Sequence, residues 1–92
     1  MLGEIKLAKF TSLTEMPQKA ASAWAAVEEL VGANYVPLLY VGTQQVRGTN
    51  HWFIAEQTFI TALPERHLVK LAVNEFNGSF AVVPHSIEVI AG

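Results

Sequence analysis

The chain contains no cysteine, so it can build no disulfide framework, thiolate nucleophile or sulfur-ligated metal site. Charge is also scarce: 6 basic and 8 acidic residues give a net charge of −2, and they do not cluster. Surfaces that bind nucleic acid or anionic lipid need clustered lysine and arginine, so we expect neither nucleic acid nor a membrane as partner.

Long apolar runs are missing as well. No run approaches the roughly 18 apolar residues of a membrane-spanning helix, and the first residues do not form an apolar signal segment. We therefore expect a soluble protein, and the absence of a signal peptide favours the cytoplasm.

What is present is enough for one core. The 92 residues are 51% hydrophobic, which predicts a single domain over residues 1–92. A helix is expected from about residue 15 to residue 31, with Ser12 or Thr14 as N-cap, Pro17 in the first turn and Gly32 as the left-handed cap. The apolar face of the helix consists of Ala20, Ala23, Trp24, Ala26, Val27, Leu30 and Val31. Its alanines are small, and Trp24 is the one large anchor.

Residues 35–61 contain two runs rich in β-branched and aromatic residues, separated by a short polar break. This pattern predicts a long β-hairpin with residues 44–48 at its tip, where Gly48 can adopt a positive φ. Because side chains alternate along a strand, Trp52 and Phe53 should lie on opposite faces, one against the helix and one outside.

The other strands are predicted from the turn-forming and strand-breaking residues between them. A first strand is expected within residues 2–10, another over residues 67–75, a tight turn at Asn77-Gly78, and a last strand over residues 80–90 that Pro84 interrupts. Short links join only antiparallel strands. The expected order is β-α-β-β-β-β: an α+β fold with one helix packed on a curved antiparallel sheet of four to five strands.

The polar tip and its context carry a resemblance. Gln44-x-Val46-x-Gly48, followed by an aromatic run, resembles the QxVxG loop of the cystatins, and the expected order of elements is similar to theirs. Leu2-Gly3 also resembles the glycine with flanking apolar residues near the N-terminus of the cystatins. Among cystatins the chain is most similar to the stefins, which are single-domain and lack disulfides.

This resemblance implies a reversible inhibitor of papain-like cysteine proteases. In the family, the N-terminus and two hairpin loops form a wedge that blocks the protease cleft. The residues that the resemblance assigns to protease binding are Leu2, Gly3, Gln44, Gln45, Val46, Arg47, Gly48, Glu75, Phe76, Asn77 and Gly78.

Two positions depart from the family pattern. Arg47 occupies a position that is usually small, so a long cation must be desolvated or turned out of the cleft. The second loop lacks the proline-containing pair that the family commonly presents. Phe76 can replace the apolar contact, whereas Glu75 adds a second charge.

Catalysis and metal binding are two alternative functions, and each would depend on histidine and glutamate side chains. A metal site would need convergence of His51, His67 and His85 with Glu56, Glu65 or Glu88, and no ligand spacing supports it. An acid–base pair of His51 with Glu56 or Glu88 would need a cavity, which the alanine-rich helix should fill. We therefore expect no enzyme activity, no metal and no cofactor.

A binding module without inhibitory activity is the other alternative. An aromatic residue exposed on the outer face of the sheet would offer a contact surface. The chain would then form a homo-oligomer or a dimer that swaps its long hairpin.

Overall fold

A computed structural model describes residues 5–7 and 18–92 of the chain. In this part of the chain, one helix packs against an antiparallel sheet, which confirms the α+β class. The helix α1 spans Gln18–Glu28. The strands are β1 (Ile5–Leu7), β2 (Ala33–Val46), β3 (Gly48–Phe59), β4 (Arg66–Phe76), β5 (Ser79–Val82) and β6 (Glu88–Ala91). They pair in the order β1-β2-β3-β4-β5, and β6 also pairs with β4.

The helix contacts the sheet through small side chains and one large ring. Its buried residues are Ala20, Ala23, Trp24 and Val27. Alanine lets the backbone approach the sheet closely, and the Trp24 ring packs edge-on against Phe53 with 5.1 Å between centroids. Tyr40 lies on the other side of Phe53, at 5.4 Å. Aromatic side chains therefore fill the space between helix and sheet.

The predicted end of the helix is wrong by three residues. The helix ends at Glu28, and the next amides bond three residues back, from Leu30 N to Val27 O at 3.0 Å. Gly32 has φ +90° but serves the turn into β2, where its carbonyl accepts a hydrogen bond from Ile60 N. Because that bond docks the chain on the sheet, Val31 leaves the helical face and is 95% exposed. The predicted start, at Ser12, Thr14 and Pro17, lies outside the described residues.

The long hairpin is present. Strands β2 and β3 pair from Ala33 opposite Phe59 to Val46 opposite Gly48, with register shifts after Pro37 and after Tyr40. Pro37 has no N–H to give to the ladder, and such irregularities bend a strand. Phe53 is fully buried against the helix, whereas Trp52 is half-buried on the outer face, so the predicted alternation is confirmed.

The predicted last strand is divided in two. Both β5 and β6 pair with β4, and the segment between them contains Pro84 and a left-handed His85 at φ 63°. Ser86 fills the gap in the ladder, because its hydroxyl bonds to the backbone N–H and C=O of Ala72. One strand over residues 80–90 is therefore incorrect, although Pro84 marks the break.

The turn between β4 and β5 has the geometry that its sequence indicates. Asn77 and Gly78 both have positive φ, 51° and 79°, as an Asn-Gly hairpin turn requires. Toward the N-terminus, the described residues of the predicted first strand form β1, which pairs Ile5 with Gln44. No helix within the described ranges has the length and hydropathy needed to cross a membrane.

Candidate functional site

The tips of the two hairpins lie against each other. Thr49 of β3 pairs with Glu75 of β4, which places Gly48 beside the end of β4. A Cβ built at Gly48 would overlap the backbone carbonyl oxygen of Glu75 and would lie 3.2 Å from Cβ of Phe76. Gly48 also has φ +82°, so both packing and backbone conformation require glycine there. We call residues 44–48 and 75–78 together the tip surface.

The first tip is tighter than the sequence predicts. Strand pairing continues through Gln44, Gln45 and Val46, and only Arg47 lies between β2 and β3. The Gln45 side chain donates from Nε2 to the Gly48 carbonyl at 3.2 Å. Gln45 and Arg47 are exposed, and Val46 is half-buried. The tip is therefore a narrow ridge closed by its own side chain.

Side-chain amides join the two tips on the outer face of the sheet. Asn74 Nδ2 donates to the Arg47 carbonyl at 3.0 Å and to Asn50 Oδ1 at 2.9 Å. Gln44 Oε1 accepts from Asn50 Nδ2 at 3.5 Å and from Trp52 Nε1 at 2.9 Å. These bonds fix the Arg47 carbonyl to β4, and Gln44 belongs to the scaffold that supports the tip.

A second hydrogen-bonded network lies on the helix side of the same tips. His51, whose side chain is 4% exposed, contacts Tyr40 OH through Nδ1 at 3.1 Å and Glu75 Oε1 through Nε2 at 2.9 Å. An ionised carboxylate only accepts, so His51 Nε2–H donates to Glu75, and in the neutral ring Tyr40 OH donates to Nδ1. Lys19 of α1 lies 3.7 Å from the other Glu75 oxygen.

The groups around Glu75 favour its ionised form. The hydrogen bond from His51 lowers the pKa of the Glu75 carboxyl below its ordinary value, against an opposing effect of burial, and the Lys19 charge lowers it further. Burial raises the pKa of the Tyr40 hydroxyl, and the charge of Glu75 adds to that rise. The second charge that the sequence predicts at this loop is therefore paired with His51 and Lys19.

Arg47 is placed differently. Its guanidinium lies 5.4 Å from the centroid of the Phe76 ring, and Phe76 is 41% exposed. Within residues 18–92 no carboxylate is within 4.0 Å of the guanidinium. The tip surface therefore presents an aromatic ring beside a cation that no carboxylate of residues 18–92 neutralises.

The structure brings together two of the three predicted parts of the site. Residues 44–48 and 75–78 are adjacent, and β1 begins at Ile5 directly opposite Gln44. Leu2 and Gly3 lie outside the described residues.

The residues considered for catalysis and metal binding do not converge. His51 bonds to Glu75, whereas Glu56 bonds to Arg66 at 3.0 Å and Glu88 pairs with Lys70 at 3.6 Å. The described part of the chain contains no group of three or more histidines and carboxylates placed to hold a metal ion. His51 therefore pairs with Glu75 and not with Glu56 or Glu88, the two partners considered from the sequence.

An apolar surface lies at the opposite end of the first hairpin. Val31 is 95% exposed, Leu63 85% and Ile60 64%, and Ile60 is joined to the residue after Val31 by a backbone hydrogen bond. We call Val31, Ile60 and Leu63 the far-end patch. It is separated from the tip surface by the length of β2.

Sequence reasoning missed the polar residues that support the tips. Asn50 follows Gly48 by two residues, and Asn74 precedes the Asn77-Gly78 turn by three. This proximity to the tips is the only signal that they carry. Their contact depends on the register between β3 and β4, which the loop of residues 60–65 does not specify. The same register brings His51 to Glu75.

No family model matches the chain, and no curated protein or solved structure is detectably similar to it.

Proposed function

We propose that the protein is a cystatin-like, reversible inhibitor of papain-like cysteine proteases and that its tip surface fills the protease cleft. The observation that carries this proposal is the packing of Gly48 on the Glu75 backbone. It joins the QxVxG-type ridge and the second hairpin into one narrow edge, which is the shape that a cleft-blocking wedge requires.

The tip is held in place before it binds. Gln45 closes the ridge, Asn74 ties the Arg47 carbonyl to β4, and the Asn-Gly turn fixes the second tip. A preorganised loop loses little conformational entropy on docking, so a small contact area can give tight binding.

The same bonds explain why such a tip would block a protease without being cut. Hydrolysis needs the scissile carbonyl oxygen to enter the oxyanion hole. The Arg47 carbonyl already accepts a hydrogen bond from Asn74, and Gly48 rests on the Glu75 backbone. The Arg47–Gly48 peptide bond therefore docks in a conformation that the protease cannot readily process.

The direct test is a titration of papain and a cathepsin-type protease with the wild-type protein and with Gly48→Ala. The wild type should inhibit at nanomolar to micromolar concentration, competitively and without being cleaved. The added Cβ displaces the tip from Glu75, so Gly48→Ala should weaken inhibition about 30-fold or more, the size of an interface hot spot.

Gly32→Ala is the matched control. Gly32 has φ +90°, close to that of Gly48, but a Cβ there meets nothing within 4 Å. Both variants carry the backbone cost of a left-handed alanine, about 1–2 kcal/mol, and only Gly48→Ala disturbs the tip. Absence of inhibition by the folded, intact wild type at high micromolar concentration against several such proteases would reject the proposal.

The far-end patch favours a second candidate, a non-inhibitory assembly module. Three large apolar side chains are exposed at this end of the chain, and a second copy that covered them would bury apolar area. A molar mass by light scattering that rises with concentration, and returns to the monomer in Leu63→Lys, would support it. A monomeric wild type at all concentrations would contradict it.

A further inference from the structure

The charged side chains at the tips have different surroundings. The Glu75 carboxylate, 20% exposed, is directed toward His51 and Lys19, at 2.9 and 3.7 Å. Its negative charge is therefore balanced within the protein. Lys19 projects from the helix with its side chain 78% exposed and balances Glu75 from outside.

Arg47 differs from Glu75 in this respect. It is exposed at the apex of the ridge, and no carboxylate of residues 18–92 lies within ion-pair distance. The Phe76 ring restricts the guanidinium without neutralising it, because a cation over an aromatic face keeps its charge. Arg47 therefore presents a positive charge at the apex of the ridge, beside the apolar ring of Phe76.

A cation at the apex discriminates between partners in both directions. Where the cleft has a carboxylate at the contact, the two charges attract, and electrostatic complementarity also speeds association. Where the cleft is neutral or basic, docking leaves the guanidinium desolvated without a partner, which weakens the complex.

We propose that Arg47, held on the ring of Phe76, is the specificity-determining residue of the tip surface and selects papain-like proteases with acidic side chains at the cleft. This inference rests on the proposed inhibitory function and adds the chemistry of the partner. Phe76 acts as the positioning residue for the guanidinium.

The test is a double-mutant cycle with one protease that the wild type inhibits. The protease is chosen for carboxylates within about 10 Å of the tip contact, the distance over which charges act at 0.1 M salt, and a second form has them replaced by amides. Inhibition constants and association rates are measured at low and high salt for the wild type and Arg47→Gln.

Against the acidic form, Arg47→Gln should weaken inhibition about tenfold or more and lose most of the salt dependence of the association rate. Against the amide form, wild type and Arg47→Gln should inhibit equally within about twofold. Phe76→Leu, which keeps an apolar contact but removes the ring, should lose part of the discrimination. Melting curves confirm that each variant is folded.

Arg66→Gln is the matched control, with the same substitution and the same change in net charge at the far end of β4, where Arg66 pairs with Glu56. It should inhibit as the wild type does. If Arg47→Gln inhibits both protease forms as tightly as the wild type, Arg47 does not select the partner, although the inhibitory function stands. If the wild type inhibits no protease, the proposed function fails and this inference fails with it.

Discussion

At the scale of single residues, Glu75 connects the stability of the fold to the shape of the tips. Its backbone carbonyl supports Gly48, and its carboxylate bonds to His51 and Lys19. A predicted contact residue thus has its side chain turned toward the body of the protein. In the proposed complex, Glu75 would contribute the position of its backbone.

The lowered pKa of Glu75 predicts how its contribution depends on pH. A carboxyl whose pKa is lower in the folded state stabilises the fold above its unfolded pKa, about 4.3, and this contribution is lost as pH falls through the folded value. Glu75→Gln should therefore lower the free energy of unfolding at pH 7 by about 1 kcal/mol, a modest value because solvent screens the carboxylate. As the pH falls through that lowered folded value, the variant should approach the wild type in stability.

Denaturant unfolding at a series of pH values measures this difference. Glu28→Gln is the control, since Glu28 is exposed on α1 and forms no ion pair within the described residues. A difference between wild type and Glu75→Gln that stays constant as the pH is lowered from 7 through the acid range would show that the carboxylate does not act through its charge.

Single residues also show where sequence reasoning stops. A positive φ at Gly48 could be predicted from the hairpin pattern, because glycine is the residue that adopts it without cost. The overlap with Glu75 could not, because residues 48 and 75 meet only through strand register. For the same reason, the sequence predicts a second charge at Glu75 but does not show that its carboxylate bonds to His51.

At the scale of elements, the two hairpins are joined by Asn74. Its amide donates to the Arg47 carbonyl and to Asn50, which is 9% exposed. The hairpin tips therefore act as one unit, although Asn74 lies 26 positions after Gly48 in the chain. Loss of Asn74 should free the first tip and leave Asn50 short of a partner.

Asn74→Ala should make the tip accessible to trypsin. Trypsin cleaves after arginine and lysine, and cleavage of Arg47–Gly48 requires the tip to open. An unsatisfied buried amide costs about 1–3 kcal/mol, so the open population and the cleavage rate should rise about tenfold. Appearance of the fragment of residues 48–92 by mass spectrometry gives the rate.

Asn34→Ala, an exposed asparagine at the other end of β2, serves as the control and should be cleaved as slowly as the wild type. Equal cleavage after Arg47 in Asn74→Ala and wild type would mean that the amide does not restrain the tip.

The elements themselves were predictable where the signals are local. The Asn77-Gly78 turn and the alternation of Trp52 and Phe53 are set by neighbouring residues, and both are found as expected. The end of the helix and the division of the last strand were not, because Gly32 bonds to Ile60 and Ser86 bonds to Ala72. These contacts join segments that are distant in sequence.

At the scale of the whole molecule, the chain has two surfaces at opposite ends. The tip surface is narrow, joined by hydrogen bonds and tipped by Arg47, while the far-end patch is apolar. The helix and the antiparallel sheet between them were predictable from the order of patterns along the chain. Which end meets a partner is a property of side-chain contacts across the sheet, so the sequence pattern alone does not decide it.

Amide hydrogen exchange of the protein, free and mixed with active-site-inactivated papain, locates the surface that contacts the protease. We predict slower exchange at residues 45–48 and 76–78 when the protease is present and unchanged exchange at residues 60–63. Unchanged exchange at both tips in the presence of saturating protease, or protection confined to residues 60–63, would contradict the claim that the tip surface is the inhibitory edge.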